Sequence, residues 1–203
     1  DADVTVDQGA IVTVLSGLVI NGTMTLNRAS TSSSSSYDTG LNFFGGRQTL
    51  GGTGEGVLNN TGRSDFQERY LRIMPTNGAE LTLGPDVTVR NTGRVGTIGS
   101  SSFPLIVEGS IIGDRSDGTL RVIGSTVTNR GTMQVNGGVL DIDNLQGSAE
   151  ALSVAPGAEL DISGTYSINK DIVFDGATLT LRGTWENTAR VTGTGGTLNL
   201  FGA

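Results

Sequence analysis

The chain has 203 residues, of which 35% are apolar, 32 are glycine and 16% are charged. Its 13 basic against 20 acidic side chains leave a formal charge of −7, which repels phosphate backbones and anionic lipid surfaces and argues against nucleic acid as a partner. Cysteine and histidine are both absent, which removes disulfides, thiolate and imidazole metal sites, cysteine nucleophiles and any Ser-His-Asp triad together.

No apolar run approaches the roughly 20 residues that span a bilayer, so membrane insertion by a helix is not expected. The apolar content is lean for a globule and suits a narrow solenoid, in which each turn buries a few inward side chains. The chain starts at Asp1 without an apolar leader. A cleaved secretion signal leaves such a start, and so does simple trimming; with the composition, the expectation is a secreted, cell-surface protein.

The chain opens on strand, turn and strand in Val4-Thr5-Val6-Asp7-Gln8-Gly9-Ala10-Ile11-Val12-Thr13-Val14. The offsets return in Leu81-Thr82-Leu83-Gly84-Pro85-Asp86-Val87-Thr88-Val89 and in the stretch Leu152 to Ile162 around Pro156-Gly157. Pro-Asp and Pro-Gly fit the centre of a tight turn. A second phrase begins at Gly22-Thr23-Met24-Thr25-Leu26 and recurs at Gly118, Gly131, Gly164 and Gly196, each a turn residue before a strand of alternating apolar side chains.

Residues 28–50 interrupt the pattern with the run Ser32 to Ser36, and read as a loop thrown out from one coil and pinned back by Phe43-Phe44. The segment Asp65 to Met74 reads as strand through its alternation at 70–73. Asparagines at Asn59, Asn60, Asn91, Asn129, Asn136 and Asn187 fall where tight corners are expected; each is either a corner device or an ordinary turn residue. The continuous runs Ile111-Ile112 and Ile172-Val173-Phe174 mark corners or strands buried on both faces. Uneven spacing of the phrases predicts coils of roughly 20 to 30 residues with several strands each. The fold class is all-β: a parallel β-helix, or β-solenoid, forming one domain over 1–203 with a loop insertion at about 28–50.

The five Gly-Thr strands and the Pro-Gly and Pro-Asp strand pairs resemble the β-solenoid passengers of bacterial secreted proteins, of the filamentous-hemagglutinin-like and autotransporter kinds. That resemblance implies a right-handed parallel β-helix, secretion, and a role in adhesion, aggregation or matrix building. It carries no catalytic residue, because such families share a style of repetition rather than a common motif.

Without histidine, enzyme chemistry would have to rest on carboxylates, and the candidate pairs are Asp114 with Asp117 and Asp141 with Asp143. Asp141 and Asp143 are two apart in a strand and share a face, but outward Asp between inward Leu140 and Ile142 is what any exposed strand shows. Asp114 to Gly118 reads as a turn. The same acids are the calcium candidates, without the tandem Gly-Asp motif that makes a repeat calcium site. Trp185 is either a sugar-stacking platform or a core-filling side chain. The expectation is therefore no enzyme, cofactor or metal. Instead the chain associates with itself, end to end or laterally, or binds surface glycans or host proteins. Strands at both ends are the assembly candidates, through Val4, Val6, Val12 and Val14 and through Leu198, Leu200 and Phe201, because the end of a stacked coil leaves backbone groups unpaired.

Overall fold

The computed structural model describes residues 2–29, 38–62 and 71–202. The Ser32–Ser36 run and the whole 65–70 stretch lie outside the described residues. Every strand pairing between named strands is parallel, and the strands stack as a solenoid. The first coil carries β1 (Val4–Val6), β2 (Ile11–Val14) and β3 (Leu18–Val19). The second carries β4 (Thr23–Arg28), β5 (Thr39–Phe44) and β6 (Arg47–Gly51), and the third β7 (Glu55–Asn60), β8 (Leu71–Thr76) and β9 (Glu80–Leu83). The fourth has β10 (Thr88–Asn91), β11 (Val95–Ser100) and β12 (Leu105–Val107).

From the fifth coil the second and third strands fuse into one bent strand: β13 (Ser110–Gly113) with β14 (Thr119–Asn129), then β15 (Thr132–Val135) with β16 (Val139–Ser148). The remaining coils are β17 (Ala151–Val154) with β18 (Glu159–Ile168), β19 (Ile172–Val173) with β20 (Thr178–Asn187), and β21 (Val191–Thr192) with β22 (Thr197–Gly202). Three faces result. The first is led by β1, β4 and β7, the second by β2, β5 and β8, and the third by β3, β6 and β9. Register shifts between Ile123 and Val127 and between Ile142 and Leu145 make the bend from second to third face, where Asn144 takes a left-handed backbone at φ 61°.

Coil length is read directly from the register. Val4 pairs with Met24, Thr23 with Glu55 and Glu55 with Thr88, whereas Thr132 pairs with Ala151 and Thr178 with Thr197. Along the first face the step is therefore short from the first coil to the second, longest over the next two coils, and short and regular in the C-terminal half. The Gly-Thr phrases do not mark one position in the coil. Those at 22 and 131 open the first face, those at 118 and 196 the second, and that at 164 the third. The phrase signals a corner, and every coil has several.

Alternation makes the core. On the second face Leu120, Leu140, Leu160 and Leu179 form one inward column, and Val122, Ile142, Ile162 and Leu181 the next, each at 2% exposure or less. Burying such a side chain is worth about 1.5–3 kcal/mol. The stretch expected as a loop contributes too: residues 39–44 and 47–51 are strands, Phe43 is fully buried, and Phe44 on the opposite side of its strand is exposed. The Ile-rich runs also alternate, with Ile111, Ile172 and Phe174 buried and Val173 exposed. Of the segment expected as strand over 65–74, Leu71 to Met74 lies in β8.

Corners carry the polar bonds. Asn60, Asn91 and Asn129 are buried, and each sends Nδ2 to a carbonyl of the following coil: Val95, Thr119 and Ala149 respectively. Asn60 and Asn129 also accept the N–H of the residue two further on, Gly62 and Gly131. Asn187 does the same for Ala189. These amides satisfy backbone groups where the ladder is broken by the turn. Asp3, Asp171 and Asp175 do the equivalent on exposed corners, accepting from the backbone N–H of Thr23, Arg190 and Thr194 one coil later.

Candidate functional site

The outward residues of the second face form a charged column. Register places Arg72, Thr97, Arg121, Asp141, Asp161 and Thr180 on successive coils. Asp141 and Asp143 share this face, as their spacing predicts. Arg121 holds both: its Nε is 3.3 Å from Asp141 Oδ2 and its Nη2 3.5 Å from Asp143 Oδ2. Asp143 also accepts from Ser163 Oγ at 3.0 Å, and Asp161 accepts from Arg182 Nε at 2.9 Å. Burial, then the neighbouring Asp143, push the Asp141 carboxyl above the ordinary aspartate range, and Arg121 only partly opposes them. Chemically this is a ladder of ion pairs along the rod, in which the two guanidiniums of Arg121 and Arg182 hold three carboxylates.

Asp114 and Asp117 are separated by their partners. Asp114 pairs with Arg90, which also binds Glu55 (Nε to Oε1, 2.6 Å), and it accepts from Asn136 Nδ2 at 2.6 Å. Asp117 pairs with Arg115, which holds its carboxyl below the ordinary range. The 114–118 stretch is a turn closed by Gly118 N donating to Arg115 O at 3.0 Å. Among the described residues, no three acidic side chains come together in a way that would hold a metal ion.

The assembly strands lie at the two ends of the stack. Val6 and Val14 are buried and Val12 partly so, whereas Val4 is exposed, together with Ile11, Leu15 and Val19. Leu15 and Val19 reach 69% exposure, and sequence reasoning missed them because their exposure depends on lying in the outermost coil. At the other end Leu198 and Leu200 extend the inward columns of Leu179 and Leu181, and Phe201 stacks over the Arg182 guanidinium at 4.8 Å. Leu198, Leu200 and Phe201 are 41%, 52% and 55% exposed. Among the described residues β1, β2 and β22 each pair on one side only.

Trp185 lies on the third face, where register stacks it on Tyr166 and Tyr166 on Gly147. It packs partly against the core, and its Nε1 is covered without a hydrogen-bond partner. Beside it the surface opens into a shallow cavity of about 440 Å³ lined by Gln146, Thr165, Tyr166, Ser167, Thr184, Trp185 and Glu186. The Tyr166 ring beneath is buried, and its phenol pKa is raised by that burial.

Compared with known proteins, the chain matches no family model, no curated protein and no solved structure.

Proposed function

We propose that the chain is a non-enzymatic extracellular rod with a structural or adhesive role. The observation that carries this reading is the stack itself. Inward residues of successive coils merge into one apolar column, which leaves the three outward faces as the surfaces available to partners. The second-face acids support it as well, since Arg121 and Arg182 hold Asp141, Asp143 and Asp161 in ion pairs. A screen of the purified chain against glycans and host surface proteins is the test. Binding without turnover supports adhesion. Reducing ends released from a polysaccharide, and lost on Asp141→Asn, overturn the non-enzymatic reading.

A second reading, end-to-end association, is favoured by the exposed apolar residues Val4, Ile11, Leu198 and Leu200 on unpaired strand edges. Electron micrographs across a concentration series test it. Filaments of uniform width that shorten on Leu200→Lys support assembly, whereas discrete rods at every concentration overturn it.

A further inference from the structure

The third-face cavity combines groups that the stability of the coil does not call for. Gln146, Thr165 and Thr184 stand on successive coils in one outward column, and Glu186 stands beside them. Between these polar columns lie Tyr166 and Trp185. A saccharide has the complementary surface: an apolar C–H face for an aromatic ring, edged by hydroxyls that both donate and accept. An amide, two hydroxyls and a carboxylate supply both kinds of partner. The column advances by about 4.8 Å per coil, close to the length of one pyranose ring, so a linear chain of sugars laid along the rod meets an equivalent group at each step. No lining residue is basic, and the chain carries −7 overall, which disfavours uronic acids and sulfated sugars.

We propose that this groove binds a neutral oligosaccharide, with Trp185 taking an apolar sugar face and Gln146, Thr165, Thr184 and Glu186 taking its hydroxyls. The proposal rests on the adhesive reading of the rod and gives it a ligand class and a location.

Trp185 is the single tryptophan of the chain, so its emission reports on this groove alone. The purified chain is titrated with cellohexaose, chitohexaose and hexagalacturonate, followed by Trp185 fluorescence and by line broadening of the sugar's proton resonances. The expected result is saturable binding of at least one neutral hexamer and none of the uronate. Affinity falls tenfold or more in Gln146→Ala and in Glu186→Gln, and is unchanged in Thr49→Ala, on the same face far along the rod. Circular dichroism identical to the parent shows that the variants fold; were one not to fold, the parent titrations and the other variant decide. Three results overturn the proposal: neither neutral hexamer binds by either measurement, the uronate is preferred, or both groove variants bind as the parent does. Capture of a protein or another glycan with Trp185 silent removes the groove and leaves the adhesive reading standing.

Discussion

Asn129 Nδ2 donates to the carbonyl oxygen of Ala149, one coil further along, at 2.7 Å, while its Oδ1 accepts the N–H of Gly131 at 3.1 Å. One buried amide thus closes its own corner and ties it to the next. Asn129→Ala leaves that carbonyl without its donor in an apolar setting, and the expected loss is about 1–3 kcal/mol. Asn136→Ala on an exposed corner, where the amide bonds only side chains, is expected to stay within about 0.5 kcal/mol of the parent. Urea denaturation midpoints of the two variants check the contrast.

Coils also approach closely at the same corner. A Cβ on Gly131 would lie 2.0 Å from the carbonyl oxygen of Gly109, a distance no carbon tolerates, and that oxygen belongs to the backbone. Gly131→Ala is therefore expected to force the two coils apart, with a loss of more than about 2 kcal/mol. Gly157 differs: its φ is +79°, but nothing lies within 4 Å of the added carbon. Gly157→Ala is expected to carry only the left-handed backbone cost of about 1–2 kcal/mol. Equal losses in thermal or urea denaturation would contradict the assignment of Gly131 to coil spacing.

The alternation that makes these strands is local, and so it is legible in the sequence. Leu140, Ile142, Leu160 and Ile162 inward with Asp141 and Asp143 outward follow from period-two spacing alone. The parallel stack follows from having many such strands, with turns between them, in a chain too lean for a globular core. Register is not local. That Arg121 faces Asp141 and Asp143, or that Gln146 lines up with Thr165 and Thr184, depends on coil lengths that vary along the chain. The Gly-Thr phrase was no guide to those lengths, because it marks corners on all three faces. The polar composition around the serine run likewise hid the strand residues Thr39, Leu41 and Phe43, all buried. The cavity beside Trp185 has no sequence signature beyond the lone tryptophan.

Core truncation should depend on position in the stack. Leu160 is fully buried, with Leu140 below and Leu179 above in its column, whereas Leu198 extends that column and is 41% exposed. Leu160→Ala is expected to cost about 2–5 kcal/mol, the range for a cavity in a packed core. Leu198→Ala removes fewer contacts and is expected to cost about 1 kcal/mol or less. Hydrogen exchange should show the same gradient, with amides of β18 protected longest and those of β22 exchanging soonest.

The second-face ladder gives stability a pH dependence whose sign differs between two of its acids. The Asp141 carboxyl titrates above the ordinary aspartate range in the folded chain, chiefly through burial and then through Asp143. Below that range both the folded and unfolded chains hold the proton, and the residue contributes no difference. As pH rises into the window between the ordinary and the raised value, the unfolded chain releases its proton first. Stability therefore falls across that window, and the loss persists to neutral pH. Asp141→Asn, which has no proton to release, is expected to be the more stable protein at neutral pH, the difference closing as pH drops below the ordinary range. Asp117 runs the other way, because Arg115 lowers its pKa. Its contribution is present above the ordinary value and is lost as pH falls through the lowered one, so Asp117→Asn weakens the chain at neutral pH and matches it in acid. Urea midpoints of the parent and both variants, taken from pH 2 to pH 8, separate the cases; a lower midpoint for Asp141→Asn at neutral pH would show that the Arg121 contact outweighs the burial of the charge.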